Sequence, residues 1–474
     1  MSKTNKLGLW ILTALVVGNM VGSGIFMLPR TLSEVASPAG VLLAWVLTGA
    51  GVLVTALVFG NLAIRKPNLN GGPQIYAKEL FSKGSNASIL SGYMSTWGYW
   101  IGNLAGNIAI ITTFAGYLSS FFPILTSGAT LMTIGSFSLK TGNALTFLVC
   151  TLLLWTTHFI ILRGLENAGK LNFAATATKV IGFFLFIVIA LFAFEKTNIL
   201  PFAEAQVDDA GNKVGLLGQI NHAAVATLWA FIGVESAVVF ASRAKKQVDV
   251  KRATILGLLI ALGIYIGIST LVMGLLNHSE LVQSDKPLID AITTVAGPIG
   301  GKLLAALGLI SLLGSTIGWV MLSAEVPYQA AKQGLFLTSF LKENKNGIPI
   351  FSMVVTNLIG QLFIFSTISN SISDAFNFVI TIATLSYLIP YFISSVFQLK
   401  MVATGETYVG QLRNRVTDGI IGILSTVYST WVIIAGTADL KTFLFGMGLL
   451  ASGIVFYGKL RKSKSSAVPQ KLSA

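Results

Sequence analysis

Charge is scarce in this chain, and so are the residues that metal and redox chemistry most often use. Of its 474 residues, 11% are Asp, Glu, Lys or Arg, against about 25% in soluble domains. There is one cysteine, Cys150, and there are three histidines, His158, His222 and His278. A single cysteine excludes an internal disulfide framework and a cysteine-rich metal cluster, and inside its apolar run Cys150 reads as a small packing residue. The histidines lie near the ends of apolar runs with no metal-ligand spacing, so neither a metal nor a cofactor is expected. No phosphate-binding loop, nucleotide motif or nucleophile–base arrangement occurs, which argues against ATP-driven work and against an enzyme. A cleavable signal peptide is not expected either, because the apolar sequence from Leu7 runs on too long and lacks a small-residue cleavage pattern.

What is abundant is apolar sequence. Hydrophobic residues make up 54%, and mean hydropathy is +0.77. A helix crossing a bilayer needs roughly 20 such residues. Twelve candidate spans follow: 9–33, 39–64, 89–122, 142–162, 172–194, 220–241, 253–277, 297–331, 348–369, 373–398, 416–436 and 441–459. The third and eighth are long enough to tilt or to extend beyond the bilayer. The longest connection, near 195–219, holds the turn-like stretch Asp208-Asp209-Ala210-Gly211-Asn212.

The distribution of positive charge orients these spans. With the N-terminus inside, 24 of the 32 Lys and Arg residues fall on the cytoplasmic side, Arg243 among them, seven fall outside, and Lys179 lies within a span. Both termini are then cytoplasmic and the protein is expected in the inner, or plasma, membrane. The net charge of +14 is mostly this bias, and its spread over loops argues against a nucleic-acid partner.

Two spans are interrupted. The first contains Gly18-Asn19-Met20-Val21-Gly22-Ser23-Gly24-Ile25-Phe26, and the sixth contains Leu228-Trp229-Ala230-Phe231-Ile232-Gly233-Val234-Glu235-Ser236. A bilayer offers no water to an unpaired N–H or C=O, so a spanning helix is normally continuous. Breaks in corresponding positions of two halves mark the midplane site of secondary transporters. An odd number of spans per repeat inverts the second copy. The expected architecture is therefore an all-α integral membrane protein, one transporter domain over 1–474. It holds a first five-helix repeat at 9–194, an inverted second at 220–398, and two additional helices at 416–459.

Several residues could carry chemistry. Unwound N–H groups at Gly22-Ser23-Gly24, beside a half-helix N-terminus, suit a carboxylate, while free carbonyls near Trp229 and Ile232 could accept an ammonium. Glu235 is an acid within a span, where ionisable groups usually face a cavity or a partner. Lys179 either snorkels to the cytoplasmic edge or bonds to carbonyls of the broken first helix, filling the space a sodium ion would take. Tyr99, Asn103 and Asn107 recur at helical spacing on one face, either as helix-packing polar residues or as a pocket wall. Trp319, after Gly314, Ser315 and Gly318, offers a ring face to a cation.

These residues resemble those of the amino acid–polyamine–organocation superfamily, and within it the basic amino acid/polyamine antiporters, which include arginine–ornithine and arginine–agmatine exchangers. The matching pieces are Gly22-Ser23-Gly24-Ile25-Phe26 with Leu28-Pro29, then Gly71-Gly72-Pro73, then Trp229 through Ser236. Gly314-Ser315 through Trp319 and Ala330 through Phe336 also match. The resemblance implies the leucine-transporter-like fold of two inverted five-helix repeats plus two helices. It implies that Ser23 and Gly24, with Ile25 beside them, hold a substrate carboxylate and that Trp229 and Ile232 surround its α-amino group. Asn107 and Trp319 would wall its side chain, with Asn103 on the same face. Tyr99 would be a gating aromatic, and Glu235 an acid linked to gating and pH response. Two positions depart from the arginine–agmatine branch: Lys179 resembles the lysine of proton-coupled cationic amino acid transporters, and Glu325 looks like the arginine–ornithine branch. The expected function is sodium-independent exchange of a cationic amino acid for its metabolic product, ornithine or an amine. The alternatives are a proton-coupled uptake permease and, from another class, a sensor that binds an amino acid without turnover. Expected partners are amino acid or amine substrates and the lipid bilayer, with a homodimer left open.

Overall fold

The computed structural model describes residues 8–466 except 68, 70, 71, 164, 208–210, 240, 242, 243 and 370. Gly71, Arg243 and the turn residues Asp208, Asp209 and Ala210 therefore lie outside the described residues. The long helices, labelled in chain order, are α1 (Leu9–Met20), α2 (Gly24–Ser33), α3 (Pro38–Arg65), α4 (Asn86–Leu118), α5 (Thr141–Leu162), α6 (Leu165–Phe192) and α7 (Leu216–Ala230). They continue as α8 (Gln247–Leu275), α9 (Pro287–Lys332), α10 (Ile350–Ile364), α11 (Ile372–Thr404), α12 (Leu412–Ala435) and α13 (Leu440–Ser466).

Polar punctuation sets the ends of these apolar helices. Ser37 and Ser85 cap α3 and α4 with their hydroxyls, and Pro38 occupies the first turn of α3, where its missing N–H costs nothing. Ser371 and Asp374 form a reciprocal capping box on α11. Inside α9, Gly297 adopts φ 66° and ψ −176°, so that element is two helices meeting at a kink, at the position where the eighth span was expected to begin.

Among the described residues nine helices are long and apolar enough to cross a membrane, and α1 with α2, bent by 48°, pass the same test as a pair. The other two expected spans, 172–194 and 220–241, fall on α6 and on α7 with its continuation. The break expected within 220–241 is present: α7 stops at Ala230 and a short helix resumes at Ser236. Two short strand pairs lie in the connections between the helices. An antiparallel hairpin, β1 (Thr130–Ile134) and β2 (Phe137–Lys140), leads into α5, with Gly135 at φ 59° in its turn. A two-residue strand pair, β3 (Gln206–Val207) and β4 (Lys213–Val214), precedes α7.

The packing is inside-out relative to a soluble protein. Helix α4 is enclosed, and Tyr99, Asn103, Asn107, Thr112 and Thr113 are all buried along it. It packs against α9 and α11, while α6 packs on α9 and α3 on α8. The outer helices leave large apolar side chains uncovered, among them Phe184 and Phe192 of α6, Ile420 and Val427 of α12, and Val455 of α13. Water would penalise such a surface; hydrocarbon does not. Cys150 is fully buried on α5, its Sγ 3.8 Å from the Ile111 carbonyl of α4.

Candidate substrate site

The two interruptions meet at the centre of the bundle. Helix α1 ends when Val21 leaves helical geometry, at φ −75° and ψ 71°. Among the described residues, no acceptor is assigned to the N–H groups of Ser23, Gly24 or Ile25, which open α2. At the other break a chain of tight turns runs from Phe231 to Ser236. Gly233 there takes φ 106°, and a Cβ on it would lie 3.0 Å from the Asn19 carbonyl carbon. A side chain is therefore excluded by backbone angle and by contact. The Ile232 carbonyl accepts no backbone N–H among the described residues, whereas the Trp229 carbonyl already accepts from Ile232.

Specific side chains lock the breaks together. The Tyr265 hydroxyl of α8 lies 2.6 Å from the Met20 carbonyl and 2.7 Å from the Ala230 carbonyl, touching the last turn of both half-helices. Asn19 donates its amide to the Ser236 hydroxyl at 2.7 Å. Lys179, buried on α6, donates to the Val21 carbonyl at 2.9 Å and to the Ser315 hydroxyl of α9 at 3.3 Å. Its ammonium thus sits at the first break and does not reach for the membrane edge.

Between the breaks is a cavity of about 10 Å³, room for about one water. Ser23, Gly24, Trp229, Ile232 and Trp319 line it, together with Asn19, Ile110 and backbone of both breaks. The two indoles tilt toward each other with ring centres 6.4 Å apart. Gly106 of α4 makes room for them, since a Cβ there would meet Trp229 at 2.8 Å and Trp319 at 3.1 Å. Gly24 lies against Trp229 in the same way, its ideal Cβ 3.5 Å from the indole nitrogen. The Ser23 hydroxyl, the Trp229 indole N–H and the Asn107 amide oxygen are buried without hydrogen-bond partners. Buried polar groups are nearly always satisfied, so the Ser23 and Trp229 groups mark where a ligand would complete the bonding; Asn107 itself does not line the cavity.

Other expected residues stand apart from the cavity. Ile25 is buried on α2 and does not line it. Asn103 turns its amide back onto the Tyr99 carbonyl at 2.6 Å. Glu235 does not line it either: one carboxylate oxygen accepts from the Tyr99 hydroxyl at 3.1 Å, and the other accepts from the Tyr391 hydroxyl at 2.5 Å and the Gly233 N–H at 3.0 Å. It ties the second break to α4 and α11. Glu325 is two turns along α9 from Trp319 and accepts from the Gln329 amide of its own helix.

At the end of the bundle where α2 finishes, a polar network joins three elements. Arg30 binds Glu34 at 2.8 Å, Asp285 at 2.7 Å and the Ser284 carbonyl at 3.1 Å. Thr31 donates to Asn377 of α11 at 2.8 Å, and Asn377 donates to Glu34 at 3.3 Å. Burial pushes the Glu34 carboxyl above its ordinary value, with the Arg30 hydrogen bond and charge pulling the other way.

An amino acid permease family model matches residues 7–454. The chain belongs to the amino acid permease family. A Bacillus subtilis protein provisionally named an arginine/ornithine antiporter is 50% identical over 472 residues, covering 98% of this chain and 100% of the relative. The arginine/ornithine antiporter of Pseudomonas aeruginosa is 35% identical, covering 97% and 91%. The arginine/agmatine antiporter of Chlamydia pneumoniae is 33% identical, covering 98% and 92%. For this permease, sequence reading had missed Asn19, Gly106, Tyr265 and Tyr391. Tyr265 carried a signal, a lone tyrosine in the aliphatic run of α8; Gly106 carried none, because its role depends on two indoles from distant helices.

Proposed function

We propose that this permease exchanges a cationic amino acid, of arginine or lysine type, for ornithine or an amine by alternating access. The observation that carries this is the set of unsatisfied polar groups around one central cavity. The free N–H groups of Ser23, Gly24 and Ile25 at the start of α2 suit a carboxylate. The open Ile232 carbonyl suits an α-ammonium, and the facing Trp229 and Trp319 rings suit a cationic side chain. The names of the relatives support the substrate class. Exchange is independent of sodium in this reading, because the Lys179 ammonium already supplies a cation at the Val21 carbonyl. The finer architecture belongs to the same proposal: twelve spans, two inverted five-helix repeats plus two helices, both termini cytoplasmic, in the plasma membrane.

Counterflow in proteoliposomes tests it. Vesicles loaded with ornithine should take up labelled arginine or lysine, at the same initial rate when choline replaces sodium. Uptake that needs no internal amino acid but follows a proton gradient would replace exchange with proton-coupled uptake. Saturable binding with no uptake under either condition would make the protein a sensor.

A further inference from the structure

A second cavity lies far from the substrate site, where the C-terminal end of α3 meets the N-terminal ends of α8 and α12. It is an open recess of about 440 Å³. Asn61 and Arg65 of α3, Lys251 of α8, and Gln411, Asn414 and Asp418 in and before α12 line it.

Its charges are unequal in number. Asp418 is buried and its bonding is filled: it accepts from Arg65 at 2.8 Å, Asn61 at 2.9 Å and Tyr408 at 2.9 Å. Arg65 also donates to the Thr407 carbonyl at 3.0 Å, and its guanidinium sits 3.7 Å from the centre of the Tyr408 ring. One acid thus neutralises one base. Lys251 is left over. Its ammonium donates to the Asn61 amide oxygen at 2.8 Å, and among the described residues no ion pair includes it. An ammonium has three protons to donate, so two remain for a ligand.

The position of Lys251 is built, not incidental. Its stem crosses α3 at Gly60, where a Cβ would lie 2.6 Å from Lys251 Cγ and 3.1 Å from its Cα. The two helices touch there because glycine is present, and Asn61 then holds the ammonium from one side. Ile64 of α3 is exposed in the cavity wall, while the exposed Val416, Ile420 and Ile423 lie on the opposite face of α12. A polar, net-positive recess with one exposed aliphatic side chain in its wall fits an anionic head group. This end of the bundle is also the side to which the Lys and Arg distribution assigns the cytoplasm, where anionic lipid gathers and basic inter-helix pockets bind lipid head groups.

We propose that this cavity binds a phosphate group, carried by an anionic lipid head group or by a soluble phosphate, with Lys251 as its charged ligand and the Gln411 and Asn414 amides at its mouth. Nothing in this assignment depends on the substrate read from the central cavity.

The test uses the purified full-length chain in detergent, titrated with phosphatidylglycerol, with phosphatidylcholine or with inorganic phosphate, and reads the thermal unfolding midpoint. Phosphatidylglycerol should raise the midpoint of wild type and of Lys251→Arg. Lys251→Gln should need about fivefold more of it for the same rise, the equivalent of about 1 kcal/mol per basic residue near anionic lipid. Arg413→Gln, which removes a neighbouring exposed charge from outside the cavity, should behave as wild type. A Lys251-dependent rise with inorganic phosphate assigns the ligand to the soluble source, and a rise with phosphatidylglycerol alone assigns it to lipid. If Lys251→Gln does not fold, Asn414→Leu at the exposed mouth should show the same weakened response. Equal responses from wild type and the cavity variants would overturn the proposal, as would an equal loss in Arg413→Gln.

Discussion

Tyr265 offers the cleanest test of how the two helix breaks are held. Replacing it with phenylalanine removes one oxygen and leaves the ring, which stacks on Trp45 at 4.9 Å and meets Phe231 edge-on at 5.4 Å. The oxygen is 2.6 Å from the Met20 carbonyl and 2.7 Å from the Ala230 carbonyl. Its single proton serves two carbonyls at the ends of α1 and α7; the Met20 carbonyl also accepts from the Gly22 N–H at 2.7 Å, so the Ala230 carbonyl, beyond reach of the helix's own donors, is the one left unsatisfied. A buried group left unsatisfied costs about 1–3 kcal/mol. With one proton shared, Tyr265→Phe should cost the closed arrangement about that much, roughly a five- to 150-fold change in its equilibrium with open ones. Two measurements check this: the thermal unfolding midpoint in detergent, which should fall, and the exchange rate in proteoliposomes, which should drop with it. Tyr265→Leu, which also loses the stacking, should fall further. A Tyr265→Phe protein that unfolds at the wild-type midpoint and exchanges at the wild-type rate would refute the reasoning.

Gly24→Leu should abolish substrate binding measured by calorimetry while the protein still inserts, because even a Cβ there lies 3.1 Å from Leu28 and 3.5 Å from the Trp229 indole. Trp319→Leu should weaken a cationic substrate by roughly three- to thirtyfold, the loss of about 0.5–2 kcal/mol of cation–π attraction, and Trp319→Tyr should retain part of it. Glu235→Gln should flatten the pH dependence of exchange and Glu325→Gln should leave it, since only Glu235 ties the second break to α4 and α11; the opposite outcome would move the switch to Glu325. Burial raises the Glu34 carboxyl above 4.5, so the folded state holds that proton more tightly than the unfolded one. Its contribution to stability is present at low pH and is lost as pH rises through the folded value. Glu34→Gln should remove this part of the slope when midpoints are measured from about pH 4 to pH 7.

Much of the site was legible because glycine and buried charge leave marks in sequence. Gly22-Ser23-Gly24 and Gly233 stand out where a helix should continue, and Lys179 and Glu235 stand out in apolar runs. What could not be read is which distant groups these residues meet. Glu235 finds its donors 136 and 156 positions away, in Tyr99 and Tyr391. Tyr99 looked like a pocket residue and is instead spent on Glu235. Asn103 shares its face and is spent on the backbone. The hairpin at 130–140 escaped notice because a search for long apolar runs passes over short alternating strands.

Cys150 has a practical consequence. Sealed between α4 and α5 with its sulfur against the Ile111 carbonyl, the one native thiol is out of reach of aqueous maleimides. A cysteine placed at exposed Ser138 on the hairpin, or at Asn414 at the opposite end of the bundle, would be the sole labelling point on its surface. Site-specific fluorophores or spin labels can therefore report which face is open without first engineering away any native residue.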